Sequence, residues 1–141
     1  MAAQLIGATI AALLLAAVMP DASEGGVGAH ALGSGISAGA GLVVEMILTF
    51  ILVFVIFATA MDPKRPSHLA PIAIGLTVMV DSLVGGPLTG ASMNPARSFG
   101  PALVSGEWAD HWVFWVGPIL GGIAAALIYQ VVYLRQSEEE A

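Results

Sequence analysis

The chain has 141 residues, no cysteine and a formal net charge of −6, with 57% hydrophobic against 10% charged residues and a mean hydropathy of +0.89. Soluble domains carry about 25% charged residues and disordered chains are poor in apolar ones, so both classes are excluded. Missing thiols remove disulfides, Cys-zinc sites and thiol catalysis, and four Lys+Arg against ten Asp+Glu leave no basic cluster for nucleic acid.

A membrane-spanning helix needs roughly 20 mostly apolar residues at about 1.5 Å of rise each. In chain order, residues 2–19, 39–61, 69–88 and 112–134 read as four such spans in a single membrane domain, the first at the short end of the range and closed by Pro20 and Asp21. The first run also resembles a secretory signal in position and alanine content. A signal carries a basic leader, whereas the first Lys or Arg here is Lys64, so a span is the preferred reading. Residues 23–38, rich in Gly, Ser and Ala, read as a flexible loop. Residues 61–68 form a short polar turn holding Lys64 and Arg65. Placing that turn and Arg135 inside satisfies the positive-inside rule and makes both termini cytoplasmic. The run Glu138, Glu139, Glu140 reads as a solvated tail.

Residues 89–104 are too apolar for a solvent loop and too broken for a span. Asn94 followed by Pro95 is a helix-start signal, because Asn caps free N–H groups and Pro is tolerated at the first helical position. The ensuing helix of about ten residues rises roughly 15 Å, half of a hydrocarbon core about 30 Å thick. Irregular backbone at that depth is tolerated only against protein or a water-filled cavity, which predicts a re-entrant loop with a half-helix. The expected fold is an all-α membrane protein of four transmembrane helices plus one re-entrant half-helix.

Glu45, Asp81 and Arg97 fall at similar depths inside the apolar core, and buried charges in a membrane need partners or a cavity. Glu45 is expected to hold the loop's backbone N–H groups, and Asp81 to brace the loop or neutralise Arg97. His30, His68 and His111 lie in loops without helical spacing, so no metal site is expected, and no cofactor is implied. A membrane-embedded Ser without a His beside it gives no hydrolase, so no enzyme is expected. Phe50, Phe54 and Phe57 form a stripe facing lipid or core. Gly117, Gly121 and Gly122 form a small-residue face that lets helices approach closely.

The stretch Ser92-Met-Asn-Pro-Ala-Arg-Ser-Phe-Gly-Pro-Ala-Leu103 resembles the second pore-loop signature of the aquaporins, the major intrinsic protein family. Val44-Glu45-Met46-Ile47-Leu48-Thr49-Phe50 resembles the start of that family's fourth span, and Gly117-Pro118-Ile119-Leu120-Gly121-Gly122 its last. The resemblance covers essentially the whole chain from the family's third span onward. The family's first two spans and first Asn-Pro-Ala loop have no counterpart in these residues, which gives an incomplete inverted repeat. It implies a passive channel for water, possible passage of small neutral solutes, contact with membrane lipid and a homotetramer. Asn94, Pro95 and Ala96 then form the pore loop, and Arg97 occupies the narrow filter. Ala91 and Ser82 take two further filter positions by their spacing from Asn94. Ser82 stands where strict water channels usually carry His, while Ser98 resembles the water-channel branch. The alternative is a truncated, nonconducting fragment or an interaction subunit of such an assembly.

Overall fold

The computed structural model describes residues 1–19, 26–62 and 67–134. The charges on which the orientation argument rests (Lys64, Arg65 and Arg135), together with Pro20, Asp21 and residues 138–140, lie outside them. Among the described residues every regular element is helical. These are α1 (Ala2–Val18), α2 (Ala38–Ile56), α3 (Ala70–Thr89), α4 (Pro95–Ser105) and α5 (Val113–Tyr129). Helix α2 runs on into a π turn at Phe57–Met61 and α5 into another at Gln130–Leu134. Short 3-10 turns stand at Gly26–Gly28 and Ser67–Leu69.

Three of the helical runs, Ala38–Met61, Ser67–Thr89 and Val113–Tyr133, are long and apolar enough to cross a membrane. With 17 residues, α1 is shorter, about 25 Å. Helix α4 has 11 residues, about 16 Å, half of a bilayer core. Large apolar side chains such as Ile72, Leu76, Leu83, Ile123 and Leu127 stand exposed on α3 and α5, the surface expected where the surrounding solvent is hydrocarbon.

Small residues decide which helices touch. The most extensive contact runs between α2 and α5, followed by α1 with α4 and α2 with α3. A Cβ on Gly121 would collide with the backbone carbonyl of Met46, and one on Gly117 would lie 2.6 Å from the Glu45 Cβ. Gly100 of α4 sits against the backbone of Ala8 and Thr9 in α1, and Gly85 of α3 against Leu48 of α2. The phenylalanine stripe of α2 faces α5: Phe54 packs edge-on to Tyr129 at 5.4 Å and to Tyr133 at 5.9 Å. Below it the Tyr129 hydroxyl donates to Asp62 Oδ2 at 2.8 Å, tying the two π-turn ends together.

Where a flexible loop was expected over residues 23–38, the described part is tied down at a few points, while Ala31, Ser34, Gly35 and Ser37 stand exposed. Val27 and His30 are buried, and the Gly33 N–H donates to the Leu88 carbonyl at 2.8 Å. That carbonyl is one of the four left without intrahelical partners at the end of α3. Gly90 then ends the helix in the left-handed region, at φ 81, a conformation that suits glycine.

Gly121→Ala should force α2 and α5 apart and lower stability by about 1–3 kcal/mol. Gly75→Ala, where a Cβ meets nothing within 4 Å, should be neutral or stabilising by up to about 1 kcal/mol through helix propensity. Thermal unfolding in detergent checks the pair.

Candidate functional site

The segment joining α3 to α4 is built around one carboxylate. Glu45, on α2, has no exposed surface. Its Oε1 accepts from the Thr89 hydroxyl at 2.6 Å and from the Ser92 N–H at 2.9 Å. Its Oε2 accepts from the Met93 N–H at 2.8 Å. The Thr89 hydroxyl in turn accepts from the Ala91 N–H at 3.2 Å. Ala91 and Met93 are both held in the left-handed region, at φ 53 and 52, which costs roughly 1–2 kcal/mol for each residue bearing a Cβ. Hydrogen bonds to a charged acceptor contribute about 1.5–3 kcal/mol each, so the carboxylate can offset that strain.

Where the loop ends, Asn94 caps α4. Its Oδ1 accepts from the Ala96 N–H at 2.9 Å and the Arg97 N–H at 3.4 Å, and Pro95 takes the first helical position, where no N–H is required. Arg97 lies one turn on. Its Nη1 donates to the Ala91 carbonyl at 2.5 Å and, at 3.3 Å, to that of Ser92. The loop's amides thus turn to Glu45 and its carbonyls to Arg97.

His30 completes the arrangement. Its Nε2 lies 2.6 Å from Arg97 Nη1 and its Nδ1 lies 3.0 Å from the Ser98 hydroxyl. Arginine has donors only, so Nε2 is the acceptor and the ring proton sits on Nδ1, donating to Ser98. The Ser98 hydroxyl then donates to Ser92 Oγ, and Ser92 Oγ donates to the Asn94 carbonyl at 3.1 Å. One donor order runs from the guanidinium through the imidazole to the start of α4. It requires a neutral ring, and the His30 pKa is lowered to about 4 by burial first, then by the Arg97 and His111 charges. His111, packed on Trp108 at 4.7 Å, is likewise lowered by burial.

Of the residues singled out from sequence, the structure brings Glu45, Ala91, Asn94, Pro95, Ala96 and Arg97 into one unit. Asp81 is buried on α3 with Oδ2 lacking a hydrogen-bond partner, and the guanidinium contacts fall on carbonyls and His30 instead. Ser82 is half-buried on α3. His30 was missed as a site residue. It stands 67 positions from Arg97 in a Gly-rich segment with no periodicity, and no local signal predicts the contact.

Arg97 is exposed and Asn94 half-exposed on an open groove of about 440 Å³ between α4 and the small-residue face of α1, Gly7, Ala8, Ala11 and Ala12. With the first N–H groups of α4 held by Asn94, the donors left at this end of the groove are the Asn94 amide Nδ2 and the Arg97 guanidinium, which can orient a polar molecule by its acceptors. Among the described residues no group of three or more His, Cys, Asp or Glu could hold a metal ion.

The neutral His30 makes stability pH-dependent. Its contribution is complete above the ordinary value of 6.5 and is lost as pH falls toward the folded value of about 4, a drop of about 3 kcal/mol at most. Thermal midpoints in detergent should therefore fall across this window. His30→Gln should flatten that part of the fall.

The sequence model for the family described as Major intrinsic protein matches residues 1–129. Similar curated proteins include Aquaporin TIP4-4 of Zea mays, 51% identical over 140 residues, covering 99% of this chain and 55% of that protein. Probable aquaporin TIP3-2 of Arabidopsis thaliana is 54% identical over 139 residues, covering 97% and 51% respectively. Aquaporin TIP2-1 of the same plant is 48% identical over 138 residues, covering 96% and 54%. The chain spans about half the length of the curated relatives it matches.

Proposed function

The chain belongs to the major intrinsic protein family, the aquaporins, and from that premise we propose that it is a passive channel component for water and small neutral solutes, not an enzyme. The observation that carries this reading is the capped start of α4, with Asn94 and Arg97 one turn apart and both open to the groove. With Oδ1 committed to the cap, the Nδ2 donors are what Asn94 offers a passing oxygen. The positive end of the α4 dipole and the Arg97 charge turn water's acceptor side inward and oppose cations and protons. Arg97, Ala91 and Ser82 are the filter positions of this reading, His30 fixes the Arg97 fork, and Glu45 supports the loop. Asp81 is a further supporting group on α3.

In this reading α1 is a fourth span, residues 89–104 are re-entrant, both termini are cytoplasmic, and the channel works as a homotetramer in lipid. Helix α4 is long enough for only half of the hydrocarbon core, and the groove beside it is open. The 141-residue chain alone is therefore not a sealed single-file path. It conducts when the part of the family fold that pairs with this groove is supplied, covalently or as a separate polypeptide. A nonconducting interaction subunit is the competing reading.

Stopped-flow shrinkage of proteoliposomes under an osmotic gradient separates the two. Fast, ion-tight flux is expected with the complementing part and not without it; no flux in either case favours the interaction subunit. In the conducting assembly Arg97→Val removes the charge and the fork of donors, so glycerol or urea uptake should rise relative to water. Lower thermal stability with an unchanged solute ratio would make Arg97 structural only. Asn94→Asp retains the capping acceptor but loses the amide donors, so α4 should survive while water flux falls and ion leak rises.

A further inference from the structure

Val27 occupies a backbone conformation that its side chain disfavours. At φ 51 and ψ 29 it lies in the left-handed region, where a β-branched residue is a genuine outlier. Such strain costs about 1–3 kcal/mol and persists only where the surroundings impose it. Gly28 follows in the same region at φ 77, so the chain reverses over two residues and brings His30 back toward Arg97. The short turn at Gly26–Gly28 touches both α1 and α4. Val27 itself is 4% exposed, and it lines the groove together with Ala8, Asn94 and Arg97. Glycine would suit this backbone better; the isopropyl group is what the position adds.

One turn therefore treats the two sides of Arg97 differently. His30 holds the guanidinium through Nη1, while Val27 supplies an apolar group on the side facing the groove. We propose that Val27 is a specificity-determining residue: its isopropyl group narrows the groove between α1 and α4 beside Arg97, limiting the neutral solutes admitted by size. This rests on the channel reading above.

The test uses the conducting assembly and three variants of this position, read as glycerol and urea uptake relative to water. Val27→Gly fits the left-handed backbone and removes the bulk, so the solute-to-water ratio should rise about ten-fold, as expected for methylene-sized changes in an apolar site. Val27→Leu should lower it. The chain has no cysteine, so Val27→Cys carries a single thiol. A membrane-impermeant thiol reagent should slow water flux through that variant and leave Ser34→Cys, on an exposed position of the same loop, unaffected. Normal water flux with solute ratios unchanged in both Gly and Leu variants would overturn the assignment while leaving the channel reading intact. Where the Gly variant fails to assemble, an unchanged solute ratio in Val27→Leu overturns it equally. No water flux in the unmodified assembly would instead overturn the channel reading beneath it.

Discussion

A carboxylate with no exposed surface holds the polar segment of this otherwise apolar protein in shape. Glu45 reaches from α2, two turns into that apolar helix, and collects the Thr89 hydroxyl and two consecutive loop amides. A backbone N–H buried without a partner costs about 1–3 kcal/mol, so this buried loop needs acceptors supplied from the side. One carboxylate with two oxygens supplies them. Removing it would leave two buried N–H groups and two strained residues, Ala91 and Met93, without support.

The opposite side of the loop depends on the same constraint. Because the amides turn toward Glu45, the carbonyls of Ala91 and Ser92 turn the other way and receive the Arg97 guanidinium. The acid and the base do not touch; each is hydrogen-bonded by one edge of the same stretch of backbone. His30, Ser98 and Ser92 then pass a single donor direction back to Asn94. Burial chiefly lowers the His30 pKa, with the Arg97 charge second, and a protonated ring would also set its Nε2–H against an arginine donor. The exposed guanidinium faces a groove whose other wall is mostly glycine and alanine of α1, with Gln4 at that wall as well.

The local features were legible in the sequence and the distant ones were not. The start of α4 at Pro95 follows from an Asn-Pro pair, and the helical, membrane-embedded character from runs of apolar residues. Gly117 and Gly121 announce close packing by their size alone. Glu45 stood out as a charge in an apolar run, and its depth matched that of the loop. His30 did not, because its partners lie 67 and 68 positions away and its own neighbours are Gly and Ala. The left-handed Val27 was equally hidden: nothing in a valine's sequence context signals a positive φ. Asp81 marks a limit of depth arithmetic. Its level matched that of Arg97, but the guanidinium hydrogen bonds go to two carbonyls and His30, since depth fixes a level and not an azimuth.

The dependence of the loop on Glu45 can be measured amide by amide. Glu45→Gln keeps one acceptor but presents an NH₂ where Oε2 received the Met93 N–H, setting donor against donor. Hydrogen exchange on the two proteins in matched micelles should show protection lost at Met93, and in part at Ser92, while the amides within α2 and α5 stay protected. Equal protection at Ser92 and Met93 in both proteins would mean that the loop keeps its shape without the carboxylate, and would contradict the central role given to Glu45.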